Sequence, residues 1–444
     1  MKVVPSMRLV WWVVGVAAMA ALAGPLAELR AIWVLTAVLL AAVVAADLVW
    51  ALWKANVPEA AIPDVVRLTK DRVGVVTLTL SNPGKQAQRV RLGLGWPAGF
   101  DVEKEDVAVE LPAGAKRARV ELTCTPRRRG RFGGMVAAVE GRSVLGFWML
   151  RVRTVLAGEV RVYPNLFSER RQVAALFLAR AQQGALARRV VGRGREFEKL
   201  RDYLPGDGFD EIHWKATGKR GRPVTKVFQV ERTQEIYVVL DVSRLSARPV
   251  VLEGVEQTAL ERCLTAALVL LLAAERMGDR FGLVAHDDRV RLFLRAGRGE
   301  GHYAACREAV LNLASSEATP DLAEIVRHLR TNLRQRALLF FLTDLTDPVL
   351  AEDFAKHVRV LSRQHLVLVS QLRVPGVARV FEGEDVNDDG EVYARLAGHE
   401  RWSEAKALAQ KLKPLGVTAV MLENETMAAE LVTQYLEVKR RQVL

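Results

Sequence analysis

The chain has 444 residues, more than one hydrophobic core usually fills, so two or three domains are expected. Three widely spaced cysteines, Cys124, Cys263 and Cys306, form neither a disulfide framework nor a zinc pattern and suit a reducing compartment. A formal net charge of +13 points to a polyanion, either nucleic acid or an anionic membrane leaflet, and the apolar segments below favour the leaflet.

Leu9–Ala27 carries no charge and Ala31–Trp53 carries only Asp47. Each run is long enough to cross about 30 Å of hydrocarbon as a helix, and the link Glu28-Leu29-Arg30 permits only a tight hairpin within residues 1–55. Lys2 and Arg8 precede the first run and Lys54, Arg67, Lys70 and Arg72 follow the second, against Arg30 alone between them. That bias places both termini in the cytoplasm. A rival reading makes Met1–Ala23 a cleaved signal peptide ending at Ala21-Leu22-Ala23; the second run would still carry everything after Lys54 inward. Asp47, near the cytoplasmic end, reads as an interfacial acid rather than a functional intramembrane one.

Residues 56–158 alternate on a two-residue period, as in Val75–Leu80, Arg89–Leu94 and Ala118–Thr123, with Gly/Pro turns between. This predicts a small Ig-like β-sandwich. Residues 159–235 read as a connector with a helix over Arg170–Leu186 and a basic, glycine-containing stretch at Ala187–Arg195. From residue 236 to 444 strands alternate with helices. The strands are Ile236–Leu240, Phe281–Ala285, Val290–Leu294, Leu338–Leu342, Leu366–Leu372 and Val417–Leu422; Ser403–Leu415 and Met427–Lys439 are among the helices. Near-continuous apolar strands between helices predict a parallel, doubly wound α/β sheet.

In such sheets ligands bind beyond the carboxyl ends of the strands. Asp241, Ser243 and Asp344 stand at strand ends and Thr319 opens the loop before a helix. These hard oxygen donors would suit Mg²⁺ with retained waters. The set resembles the metal-ion-dependent adhesion site of von Willebrand factor A domains, except that apolar Leu245 occupies the second serine's place. Asp385–Gly390 begins like an EF-hand loop, but Leu396 stands where the bidentate glutamate belongs, so a polar turn is expected. No phosphate-binding Gly-x-x-x-x-Gly-Lys-Ser/Thr loop and no His-Glu-x-x-His run occurs.

The densest polar and aromatic stretch is Gly194–Ser243. Arg201-Asp202-Tyr203, Gly206-Asp207, Ile212-His213-Trp214-Lys215 and Glu231 resemble the signature of the bacterial family known as domain of unknown function 58. Pro126–Gly130, Leu145-Gly146-Phe147 and Val162-Tyr163-Pro164 match its upstream region, with Ser143-Val144 in place of the usual Asp-Pro. The resemblance implies a multi-pass protein of the bacterial inner membrane with a von Willebrand factor A-like cytoplasmic domain, associated with MoxR-type AAA+ ATPases. The expected function is a non-enzymatic adaptor for such an ATPase or its client. Arg201, Tyr203, Asp207, His213, Trp214 and Lys215 would make the contacts, with Lys226 a further cation for acidic side chains. The alternatives are a metal-dependent hydrolase using Asp241, Asp344 and His213, and, ranked last, nucleic-acid binding through Arg188–Arg232.

Overall fold

Alternation along the early strands is what builds their core. Val76, Leu78 and Leu80 of Gly74–Ser81 and Val90, Leu92 and Leu94 of Gln88–Gly95 come from two different sheets and meet in one apolar cluster. The four-stranded sheet runs Glu59–Ala61, Gly74–Ser81, Arg117–Pro126, Phe100–Val102; the five-stranded sheet runs Lys2–Pro5, Trp148–Val155, Val136–Arg142, Gln88–Gly95, Asp106–Leu111. A third sheet joins Val65–Thr69, Glu159–Tyr163 and Gly130–Phe132. The computed structural model describes residues 1–23, 27–53, 57–81, 87–114, 116–182, 191–204, 208–209, 212–229, 234–252, 254–381 and 388–441. They fall into two units, Met1–Asn165 and Leu166–Leu444.

The unit boundary differs from the sequence expectation of a sandwich over 56–158 and a connector over 159–235. Glu159–Tyr163 pairs in parallel with Val65–Thr69 and buries Val160 and Val162 in the sandwich core, which extends the first unit. The helix Phe167–Gln182 belongs to the second unit, where Glu169 forms a buried ion pair with Arg262 at 2.7 Å. Nor are residues 1–55 a separate piece, because Lys2–Pro5 is an antiparallel edge strand on Trp148–Arg151.

Two helices, Met7–Ala23 and Ala27–Trp53, follow that edge strand. Ala31–Trp53 is long and apolar enough to cross a membrane, whereas Met7–Ala21 is a shorter apolar stretch. Asp47 is only 3% exposed. Its carboxylate accepts hydrogen bonds from Ser143 Oγ at 2.6 Å and from the backbone N–H groups of Leu145 at 3.1 Å and Phe147 at 3.3 Å. Trp148 Nε1 donates to the Val44 carbonyl at 3.0 Å, and Ser6 Oγ donates to that of Gly146 at 2.6 Å. The acid expected at an interface is thus the centre of a clasp between the apolar helix and a turn of the sandwich.

The second unit is built on six strands in the order Val290–Gly297, Arg280–His286, Glu235–Asp241, Ala337–Leu342, Leu366–Leu372, Val417–Leu422. All neighbours are parallel except the Val290–Gly297 edge, which returns antiparallel. The link Asp287–Arg289 is far too short for the crossover a parallel pair requires. Ile236, Val238 and Leu240 face one apolar cluster with helices Ala259–Arg276 and Met427–Arg441. Tyr237 and Val239 face the other with Leu322–Asn332 and Pro348–Ser362. A strand covered on both faces must be apolar at every position, which is why these strands lack alternation. Gly282 is obligatory here: a Cβ would lie 2.3 Å from the Tyr237 ring. Asp389–Leu412 is one helix, beginning well before the expected Ser403.

Candidate functional site

The strand order reverses between Glu235–Asp241 and Ala337–Leu342, and the carboxyl ends of these two strands deliver Asp241 and Asp344 to one crevice. The cavity there is about 20 Å³, the size of a single water, and Leu245, Arg248, Cys263 and Thr343 share its lining. Asp241 is buried. Its Oδ1 accepts from the Ser243 N–H and its Oδ2 from Thr343 Oγ1, both at 2.8 Å. Ser243 Oγ accepts from the Leu245 N–H at 3.3 Å, so this serine caps the short turn Arg244–Ala247. Thr319 is exposed, in the adjoining loop whose Ala318 carbonyl accepts from the Arg244 N–H.

Arg248 decides the electrostatics. Its Nη1 donates to Asp344 Oδ2 at 2.7 Å and its Nη2 to the Leu372 carbonyl at 3.2 Å. The Thr346 N–H holds the other Asp344 oxygen at 3.0 Å. The crevice therefore contains its own cation, and apolar Leu245 lines it without offering a donor. That donor set fits an internal ion pair and not a divalent ion with retained waters. Among the described residues no group of three or more His, Cys, Asp or Glu side chains could hold a metal ion.

Two titratable neighbours lie beside this crevice. Burial pushes the Cys263 thiol up to about 12, and the nearby Asp241 charge adds to the shift, so the thiol stays protonated and non-nucleophilic at neutral pH. His286 pairs in register with Asp241 and is almost fully buried; desolvation lowers its pKa despite the Asp241 charge, leaving the ring neutral. Neither Arg248 nor Cys263 had a sequence signal. Arg248 lies in an irregular segment and Cys263 in a helix, and only the packing of that helix on the strand ends brings them in.

The signature segment forms a separate feature of the second unit. Val191–Asp202 and Val224–Gln229 pair antiparallel, placing Arg201 opposite Thr225 and Lys226 opposite Leu200. The Tyr203 N–H donates to the Pro223 carbonyl, and its ring lies 6.4 Å from that of Phe209. His213 caps the helix Trp214–Arg220, its Nδ1 accepting from the Ala216 N–H at 3.1 Å, and Gly221 ends the helix at φ 66°, a left-handed conformation glycine adopts freely. Trp214 is 69% exposed, with Lys215 exposed beside it. Leu204 and Phe209 are exposed as well. Asp207 and Glu231, together with Asp385–Asn387, lie outside the described residues.

Residues 199–380 match the model of a family described as protein of unknown function DUF58. Among solved structures, the chain is similar to the conserved hypothetical protein BatB from Bacteroides thetaiotaomicron, at 16% identity over 47% of this chain and 99% of that one, with a TM-score of 0.33. It is also similar to an aerotolerance-related membrane protein from Bacteroides fragilis NCTC 9343, at 14% identity over 46% of this chain and 98% of that one, with a TM-score of 0.28. None of the curated proteins matches the chain.

Proposed function

We propose that this chain, which carries the DUF58 region over residues 199–380, is a non-enzymatic adaptor anchored in the bacterial inner membrane. In this reading it binds a MoxR-type AAA+ ATPase or that enzyme's client through its signature segment and a von Willebrand factor A-like second unit. The observation that carries the proposal is the presentation of Trp214. A short, capped helix holds this large ring in water, with Phe209 and Leu204 also exposed on the segment and Lys215 alongside. Large exposed aromatics ringed by cations are the usual anchors of protein interfaces.

Catalysis finds less support. The crevice holds about one water, its carboxylates are engaged by Arg248, Thr343 and backbone N–H groups, its thiol is protonated, and His213 is spent on a helix cap. For the anchor, Lys2–Pro5 before the first helix and the strands after Trp53 belong to one sandwich. A chain that leaves that sandwich and rejoins it on one side of the bilayer supports a hairpin, and the basic residues flanking the apolar runs favour the cytoplasmic side for both termini.

The test is affinity purification of the full-length chain from detergent extracts. Wild type recovers an AAA+ ATPase; Trp214→Ala and Arg201→Ala reduce recovery by about tenfold or more, as loss of an interface anchor does. Trp214→Ala leaves the melting temperature unchanged. Recovery of no ATPase, or equal recovery by all three proteins, would overturn the proposal.

A further inference from the structure

We infer that the turn Ser143–Phe147 dips just beneath the lipid headgroups, with Val144 and Leu145 as its lipid-facing tip. The inference rests on reading Ala31–Trp53 as a membrane span. Its first support is where the turn grips the helix. Trp148 holds the Val44 carbonyl, and Ser143, Leu145 and Phe147 hold Asp47. At 1.5 Å per residue, these points lie about 13 Å and about 9 Å inward from Trp53 along the helix axis.

The second support is what lies outward of the grip. Val49, Trp50, Leu52 and Trp53 are 65%, 50%, 49% and 82% exposed. A bilayer boundary drawn at Val44 would leave all four in water. A boundary at Trp50 and Trp53 buries them and places two indole rings at the headgroup level they favour. With the boundary there, the turn sits on the membrane side of it. The tip has the matching chemistry: Val144 is 71% and Leu145 49% exposed, two adjacent apolar side chains at the end of a sandwich turn. Arg8 lies against Gly146 of the same turn and can reach outward to lipid phosphate.

The geometry also accounts for Asp47. An acid at that depth needs partners, and the turn brings it a hydroxyl and two N–H groups. The sandwich thus rests in the membrane surface and is not suspended above it, and its occupant is the bilayer.

The test uses the full-length chain in nanodiscs of mixed phosphatidylethanolamine and phosphatidylglycerol, spin-labelled at Val144→Cys, with Leu145→Cys as a second site. Collision with oxygen is compared with collision with a water-soluble nickel chelate, and unmutated protein sets the background from the native cysteines. Leu39→Cys, in the apolar helix, is the lipid reference; Glu105→Cys, exposed on the sandwich, is the water reference. The expected result is an oxygen preference at positions 144 and 145 severalfold above that at 105 and approaching that at 39. A lipid-like signal at 39 with water-like signals at 144 and 145 would overturn the inference and leave the span standing. A water-like signal at 39 would remove the span itself, and the inference with it.

Discussion

Arg262→Met tests how the helix Phe167–Gln182 is held to the second unit. Both side chains of the Arg262–Glu169 pair are only 3% exposed, and Nη1 meets Oε1 at 2.7 Å. Arg262 Nε also donates to Asn424 Oδ1 at 2.9 Å. Removing one partner of a buried pair costs about 3–5 kcal/mol, because the remaining charge has lost its solvent and its counter-ion together. At 1.36 kcal/mol per decade, opening of this region should become about 10²–10⁴-fold more frequent. Cys306, fully buried in the same apolar cluster and with its thiol pushed up to about 12 by burial, is a built-in reporter that reacts with alkylating reagents at pH 8 when the region opens. Mass spectrometry of labelled peptides from the detergent-solubilised chain should show Cys306 labelling faster by that factor. Cys124, in the first unit, should keep its wild-type rate. Replacing both partners, Glu169→Met with Arg262→Met, should restore protection, since an apolar pair of similar volume carries no stranded charge. Labelling equally fast in the single and double variants would refute the reasoning, as would a single variant that labels like wild type.

Stability should also fall with acid. Burial depresses both His286 and His365 below the ordinary value of 6.5, so below pH 6.5 the unfolded chain takes up protons that the folded one refuses. The melting temperature should hold above that pH and drop between pH 6.5 and 5, and His286→Gln should flatten the slope; a flat wild-type profile would contradict it. Asp287 titrates in a separate window: burial alone would raise it, but hydrogen bonds from Arg291 and its neighbours hold it at about 2, so its contribution is lost only below pH 3.8. At the crevice, Mg²⁺ or chelator should leave wild-type melting unchanged, while Arg248→Ala, with Asp344 uncovered beside Asp241, should gain a Mn²⁺- or Mg²⁺-dependent rise. An equal rise in wild type would show that Arg248 does not occupy the ion's place.

The fold was legible where burial imposes a period. Val76-x-Leu78-x-Leu80 announces one covered face and Ile236–Leu240 announces two, so both kinds of strand could be read without a partner in view. The antiparallel edge was readable in principle from the short Asp287–Arg289 link. Asp389–Leu412 was largely missed because its N-terminal half leaves Val392, Tyr393 and Leu396 exposed and so lacks an apolar stripe. The carboxylates of the crevice were placed by their position at strand ends. Arg248 was not: nothing local distinguishes it from other surface arginines, and its partner lies 96 residues away. Asp47 failed in the same way, since an acid in an apolar helix gives no hint of a turn another 96 residues downstream.

The pairing of Lys2–Pro5 with Trp148–Arg151 fixes the order in which this molecule can be made. A ribosome adding about 5–20 residues per second needs roughly seven to thirty seconds to travel from one strand to the other. Both apolar helices have emerged long before then, while the turn that will receive Asp47 does not yet exist. The apolar helices are therefore made before their clasp, with Asp47 still unpartnered, and the first four-residue strand must wait for nearly the whole sandwich. Closing the sheet edge is then a late event that ties together parts of the first unit made far apart in time.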